Sequence, residues 1–385
     1  MCWNLFIAIV PTKANLYITP LHLFQSLPKY HLFTTTGLNK DSPSGTSNPH
    51  FSSITPLQID PDQELFGNKA STMTRLILST SNIMTGGPSI IRKPGADRSN
   101  LELTNSLRSN FLAAQQDYSP ISSSNGNSPD SFEEEESLRR PPASIWTTRD
   151  GSDYYIPTID WSMSGLAEEP SQYDITAKLF YLPGADVRDR AQHTKDAIQL
   201  VLKELGVDSI NLLIVSFPGM SFEGDCEWEA DKKNSAQGND EEEIASWPAL
   251  EELYDHGTVK KLGLAEYGSE KLSRFLNKVR IRPKVDQVNV KDCCNVPPPL
   301  LKLAKLENIE LLVHNDCTNI LPSGTLRELL GQGVRGAGVL SESKRGLDGM
   351  KGDLLPEWVV KYTAVVRDRG VIENKGYFAA AQLRE

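Results

Sequence analysis

The second half of the chain alternates apolar runs with segments of helical periodicity. The apolar runs begin at Tyr173, Ile210, Val259, Lys284 and Ile309. This spacing predicts parallel βα units, and runs that are apolar nearly throughout are typical of strands covered on both faces. With a strand around 76–78 and a short one near 370–372, about seven or eight units can be counted. We therefore predict an α/β fold, a TIM-like (β/α)8 barrel of irregular first units, rather than a Rossmann sheet.

The first 72 residues show neither helical nor strand periodicity, which predicts a disordered extension before a barrel over residues 73–385. The opening sequence MCWNLFIAIV is apolar but too short to cross a bilayer, and it lacks the basic start of a signal peptide. We expect a soluble, cytoplasmic chain that does not bind membranes.

Two stretches interrupt the predicted barrel. Residues 118–151 are rich in Ser, Asn and Pro and include four consecutive glutamates, which predicts a solvated, low-complexity insertion. Residues 219–244 are strongly acidic and follow a strand directly, which predicts an acidic loop on the face of the barrel where active sites form. Between the first strand and the first of these stretches, the spacing of leucines predicts a helix over 100–116.

Charge and cysteine usage exclude several classes of function. The chain has 40 Lys and Arg against 50 Asp and Glu, a net charge of −10, which argues against nucleic acid as a partner. Its 5 cysteines include no C-x-x-C pair, so a reducing compartment is indicated. His314, Asp316 and Cys317 lack a fourth ligand at a usual spacing, and we expect no metal site.

Several motifs identify a known family. ITAKLFYLPG, KELGVDSINLLIVSFPG and WPALEELYDHGTVKKLGLAEYGSEKL resemble the aldo-keto reductase barrel in order and spacing. More narrowly, AKLF, QVNVKDCC, IELLVHND and WVVKYTAVVRDRGVIENKGY resemble the regulatory (light, modifier) subunits of glutamate-cysteine ligase. The resemblance covers residues 173–385 well and 73–117 weakly.

The resemblance implies that reductase catalysis has been lost. Lys178 matches the lysine that lowers the pKa of the reductase tyrosine, and we take it as vestigial. Ser216 stands where reductases carry the histidine that positions the carbonyl. No segment between 84 and 174 has the form that supplies the aspartate and the acid tyrosine; Asp153, Tyr154 and Tyr155 are the nearest residue types. We therefore predict no catalytic residue.

The same resemblance implies a weakened cofactor site. Ala265 and Glu266 replace the Ser-Asn pair that holds the nicotinamide amide. Gln287 matches the remaining amide contact, His314 aligns with the stacking aromatic residue, and Lys375 lies in a partial match to the phosphate motif. We expect no required cofactor, with residual NADP binding through Gln287, His314 and Lys375.

The function that the resemblance implies is regulatory. Such a chain would form a heterodimer with the catalytic subunit of glutamate-cysteine ligase, raise its affinity for glutamate and relieve feedback inhibition by glutathione. The alternative is an NADPH-dependent reductase of small carbonyl compounds, for which Tyr154 or Tyr155 would have to reach Lys178. Only one of these requires a proton donor inside the barrel.

Two groups of residues are candidates for contact with the partner. Vicinal thiols before a proline run would lie at the barrel rim, as a redox contact or as buried, inert groups: Cys293 and Cys294. Aromatic side chains of the C-terminal segment are either exposed contact residues or the core of a barrel helix: Trp358, Tyr362, Tyr377 and Phe378.

Overall fold

The computed structural model describes residues 74–85, 98–118, 140–222, 226–290, 296–341 and 349–384. The strands within these ranges are β1 (Thr74–Ser79), β2 (Thr148–Asp150), β3 (Asp153–Ile156), β4 (Tyr173–Tyr181), β5 (Leu212–Ser216), β6 (Leu262–Ala265), β7 (Val285–Val288), β8 (Glu310–Val313), β9 (Asp353–Val366) and β10 (Val371–Arg384). The helices are α1 (Ser99–Gln116), α2 (Ala143–Trp146), α3 (Arg190–Leu205), α4 (Glu227–Asn234), α5 (Asp240–Asp255), α6 (Ser269–Leu276), α7 (Pro298–Glu307) and α8 (Thr325–Leu330).

The strands form one mixed sheet in the order β2-β3-β1-β10-β9-β4-β5-β6-β7-β8. From β4 to β8 each strand pairs in parallel with the next, and helices connect them, as the alternation of apolar and helical segments predicts. The predicted α/β fold with parallel βα units is confirmed for this part of the chain.

The sheet curls so that β4 and the segment after β8 approach each other. In a flat sheet β4 and β8 would lie about 19 Å apart, because neighbouring strands are spaced by about 4.8 Å. Lys178 on β4 nevertheless places its Nζ 3.0 Å from Oδ2 of Asp316, which follows β8. The side chains of these strands therefore meet across an interior, as in a barrel.

The C-terminal segment is a long β-hairpin, which corrects the predicted barrel helix and short final strand. β9 pairs with β4 on one side and with β10 on the other, antiparallel in both cases. The segment alternates residues between two buried faces, so its period is two rather than 3.6. The four aromatic residues proposed as exposed partner contacts are fully buried in this hairpin: Trp358, Tyr362, Tyr377 and Phe378.

The α1 helix confirms the helix predicted over 100–116, and it packs on the interior face of the sheet. Its residues Leu103, Leu107 and Phe111 share a cluster with Leu76 of β1 and Tyr377 of β10. Phe180 of β4 belongs to the same cluster and lies on the face that carries Lys178, two residues earlier. The helix thus fills space inside the curled sheet instead of covering its outside.

The predicted acidic loop over 219–244 is largely helical. It contains α4 and the first turn of α5, where the acidic residues Asp240, Glu241, Glu242 and Glu243 lie. Acidic side chains stabilise the first turn of a helix because they face its unpaired N–H groups and its positive dipole end. Asn239 caps this turn by accepting from the backbone N–H groups of Glu241 and Glu242.

The other expected insertion is described only over 140–151, where the chain forms α2 and β2 rather than a loop. The rest of 118–151 and the predicted disordered extension over 1–72 lie outside the described residues. Among the helices of the described ranges, none is both long and apolar enough to cross a membrane.

Candidate functional site

An interior cavity of about 70 Å³ lies between β4, β7, β9, β10 and the segment after β8. This volume has room for about five water molecules. The polar and charged side chains of its wall are Thr176, Lys178, Gln287, His314, Asn315, Asp316, Lys361, Thr363 and Lys375. Four of the residues singled out from the sequence are therefore brought together: Lys178, Gln287, His314 and Lys375.

One carboxylate in the cavity wall holds two lysines. Oδ2 of Asp316 accepts from Nζ of Lys178 at 3.0 Å, and Oδ1 accepts from Nζ of Lys361 at 2.8 Å. Burial alone would raise the pKa of Asp316, but the charges of Lys178 and Lys361 outweigh it and hold that pKa well below its ordinary value. Burial opposes the charge on Lys361, yet Asp316 and Glu102 raise the pKa of that ammonium. The three groups form a charged, buried bridge between β4, β9 and the end of β8.

A second charged group connects β10 to α1. Nζ of Lys375 donates to Oε2 of Glu102 at 2.7 Å, and the hydroxyl of Tyr377 donates to Oε1 of the same carboxylate at 2.6 Å. Burial and the nearby Lys361 ammonium lower the pKa of Lys375, although Glu102 opposes them. Lys375 and Tyr377 are two residues apart on β10, so both side chains lie on the face that α1 covers.

His314 lies between the backbone N–H of Asp316 and the carboxylate of Glu266. Its Nδ1 accepts the backbone N–H of Asp316 at 3.0 Å, which leaves Nε2 as the protonated nitrogen. That Nε2 lies 2.6 Å from Oε1 of Glu266. Glu266 follows β6 with a positive φ of 67°, and its other oxygen accepts from the backbone of Asn289 at 3.3 Å. A carboxylate and an imidazole thus occupy positions where the resemblance places the nicotinamide contacts.

The tyrosines of the alternative reductase hypothesis are engaged elsewhere. The hydroxyl of Tyr154 lies 2.6 Å from Oγ1 of Thr147. Tyr155 packs against Trp161 in the cluster on the opposite face of the sheet. Among the residues that the structure describes, Lys178 has no tyrosine hydroxyl within hydrogen-bond distance. The proton donor that a reductase requires is therefore not beside the surviving lysine.

The remaining predicted positions contribute differently. Ser216 is buried at the end of β5 and does not line the cavity. Gln287 is 3 % exposed, and its Oε1 has no hydrogen-bond partner among the described residues. Cys293 and Cys294 fall within 291–295, outside the described residues.

Three charged residues of this interior were not predicted as site residues from the sequence. Asp316 entered only as a rejected metal ligand, and Lys361 and Glu102 were not considered. The period of two along WVVKYT was the available signal for Lys361, because it sets that lysine on the opposite face from Trp358 and Tyr362. Glu102 lies on a helix whose interior position could not be deduced from its own sequence.

Two of the nicotinamide contacts that the resemblance implies are altered in this chain. The Ser-Asn pair is replaced by Ala265 and by Glu266, whose carboxylate is buried and already paired with His314.

Part of the chain matches a known protein family. Residues 147–330 match the model of the aldo/keto reductase family. The aldose reductase of Schistosoma japonicum aligns with 35% of this chain and 43% of its own, less than half of that solved structure, at 23% identity and a TM-score of 0.26.

The relatives that match a larger share of the chain are glutamate–cysteine ligase regulatory subunits. The putative glutamate–cysteine ligase regulatory subunit of Schizosaccharomyces pombe is 28% identical over 228 residues, covering 57% of this chain and 75% of that protein. The glutamate–cysteine ligase regulatory subunit of Mus musculus is 25% identical over 217 residues, covering 56% of this chain and 69% of that protein. The resemblance to glutamate–cysteine ligase regulatory subunits predicted from the sequence is confirmed.

Proposed function

We propose that this chain is a non-catalytic regulatory subunit that binds the catalytic subunit of glutamate–cysteine ligase. The single observation that carries the proposal is the state of Lys178. Its ammonium is held by Asp316 at 3.0 Å, with no tyrosine hydroxyl beside it among the described residues. The regulatory relatives support the same assignment.

The missing groups make reductase chemistry too slow to be the function. A general acid contributes about 10²- to 10⁴-fold to a rate, and the carbonyl-positioning imidazole is absent as well because Ser216 replaces it. The ion pairs of Lys178 and Lys361 with Asp316 instead connect β4 and β9 to the segment after β8. We propose that the chain requires no cofactor and acts in the cytoplasm.

The regulatory effect would arise from thermodynamic coupling. A subunit that binds the glutamate-bound state of its partner more tightly than the free state raises glutamate affinity by the same factor. A coupling free energy of about 1–3 kcal/mol corresponds to a 5- to 150-fold change. Weaker glutathione inhibition follows if the inhibited state binds this chain less tightly.

Co-purification with enzyme kinetics tests the proposal. A tagged full-length chain should retain the ligase catalytic subunit, lower its KM for glutamate and raise its inhibition constant for glutathione. NADPH oxidation with small aldehydes should remain at the background rate. Failure to retain the catalytic subunit, or an unchanged KM in a mixture that does form the complex, would contradict the proposal. Aldehyde-dependent NADPH oxidation would favour the reductase alternative.

A further inference from the structure

The interior cavity contains more hydrogen-bond donors than its neighbours accept. Each lysine ammonium has three N–H donors. Among the described residues, Nζ of Lys361 donates only to Asp316 and Nζ of Lys375 donates only to Glu102. Lys178 donates to Asp316 and lies 3.5 Å from Nδ1 of His314. Several charged donors therefore face the cavity without a protein acceptor among the described residues, and their remaining hydrogen bonds must go to water or to a ligand.

Positive charges outnumber negative charges among the described residues that line the cavity. Lys178, Lys361 and Lys375 all line the cavity, whereas Asp316 is the acidic residue among the described lining groups. The other two carboxylates of the network, Glu102 and Glu266, lie behind the wall. The positive groups are thus closer to the cavity than most of the negative charge that balances them.

An independent observation points to a ligand that also donates. Gln287 is 3 % exposed, lines the cavity, and leaves its Oε1 without a partner in the described part of the chain. A buried amide oxygen without a donor costs free energy. A ligand with acceptor oxygens alone would satisfy the lysines but not this group.

We propose that the interior cavity binds a small oxyanion that carries a hydroxyl group, of about the size of hydrogen phosphate. Its oxygens accept from the three ammonium groups, and its hydroxyl donates to Gln287 Oε1. Charge-assisted hydrogen bonds of this kind are about twice as strong as neutral ones. The cavity of about 70 Å³ admits an ion of this size. The proposal goes beyond the regulatory function and does not depend on it.

Binding is tested with the full chain by thermal unfolding and isothermal titration calorimetry at matched ionic strength. Hydrogen phosphate and glycolate each carry a hydroxyl, and they distinguish a phosphate from a 2-hydroxycarboxylate. Sulfate and acetate are the controls without a hydroxyl, and chloride is the reference. We expect a saturable rise of Tm with hydrogen phosphate or glycolate that exceeds the rise with the matched control.

Three variants connect binding to the named groups. Lys361→Met should weaken binding at least about tenfold, since it removes a charge-assisted hydrogen bond. Gln287→Leu should abolish the preference for hydrogen phosphate over sulfate. Lys278→Met, at an exposed position, should change neither property and serves as the matched control.

The wild-type chain alone can overturn the proposal, even where a lysine variant fails to fold. An equal Tm in all five salts means that water fills the cavity. Equal binding of sulfate and hydrogen phosphate would remove the role of Gln287 and contradict the hydroxyl requirement. NADPH that raises Tm and competes with hydrogen phosphate would assign the cavity to a nucleotide instead.

Discussion

Two regions of the curled sheet differ in what they contribute to its interior. The parallel half, β4 to β8, contributes mainly apolar side chains such as Ile214, Ala265 and Leu312. The hairpin half, β1, β9 and β10 with α1, contributes Lys361 and, paired with Glu102, Lys375. One half lies within the segment that matches the aldo/keto reductase family model, and the other is antiparallel and supplies two of the three lysines that line the cavity.

The comparison shows that a scaffold and its chemistry can be retained separately. The order of strands and helices in the parallel half depends on apolar packing outside the sheet, which is preserved around residues such as Val215 and Leu264. Ser216 and Glu266 stand at two positions where the resemblance implies other groups, a carbonyl-positioning histidine and a nicotinamide contact. Asp316 joins the two halves, because it accepts from Lys178 of one and Lys361 of the other.

Replacement of Asp316 should therefore have the largest effect. Asp316→Asn leaves two buried ammonium groups without their shared carboxylate, and breaking such a buried pair costs about 3–5 kcal/mol. Urea unfolding should show this loss in the free energy of unfolding. The matched control is Asp353→Asn, since Asp353 is 94 % exposed and its ion pair with Arg327 contributes at most about 1 kcal/mol.

A loss below about 1 kcal/mol for Asp316→Asn would mean that the two halves are not joined through this carboxylate. The pH dependence provides a second check. The pKa of Asp316 is lowered in the folded chain, so its contribution is present above the unfolded pKa of about 4 and is lost as the pH falls. The variant and the wild type should converge in stability at low pH.

Two glycines test whether the halves are equally close-packed. A Cβ at Gly376 of β10 would lie 2.5 Å from the backbone oxygen of Ser81 and 2.3 Å from the hydroxyl of Tyr362. A Cβ at Gly263 of β6 would meet Val285 and Ile214 only at 3.1–3.2 Å. Gly376→Ala should cost about 3 kcal/mol and Gly263→Ala about 1 kcal/mol, measured by thermal unfolding. The reverse order would place the tighter packing in the parallel half.

Asp286 of the parallel half should respond to pH in the opposite direction from Asp316. Burial raises its pKa well above the ordinary value, and one of its oxygens has no partner among the described residues. Above the unfolded pKa the unfolded chain releases this proton more readily, so the wild type loses stability as pH rises, by about 1.4 kcal/mol per unit. Asp286→Asn removes that slope. Equal slopes for variant and wild type between pH 4 and 6 would show that Asp286 ionises normally.

Much of the parallel half could be predicted from sequence because its signal is local. Strands covered on both faces are apolar runs. The five apolar runs named in the sequence correspond to β4, β5, β6, β7 and β8. In the hairpin half, β1 and α1 were predicted but the hairpin of β9 and β10 was not, because β9 is largely buried on both faces and its apolar run fits a helix or a strand. Only pairing with β4 and β10 decides between them.

The interior followed the same division. Lys178, Gln287 and His314 were found because motifs of the parallel half mark them, and they do line one cavity. Glu102 lies in no motif, and Lys361 lies in the C-terminal motif without an assigned role; their proximity depends on α1 lying inside the sheet. Such long-range ion pairs leave no trace in local sequence patterns.

The acidic segment before α5 gives the smallest and most local prediction. Asn239 accepts from the backbone N–H groups of Glu241 and Glu242 at 3.1 and 3.3 Å, so Asn239→Ala should cost about 1 kcal/mol of unfolding free energy. Asn277→Ala, at an exposed position after α6, is the matched control and should cost less than about 0.5 kcal/mol. Equal losses would mean that the segment behaves as the loop its composition predicted. A larger loss at Asn239 would show that capping, which needs only one residue in the right place, converts an acidic run into a helix start of the parallel half.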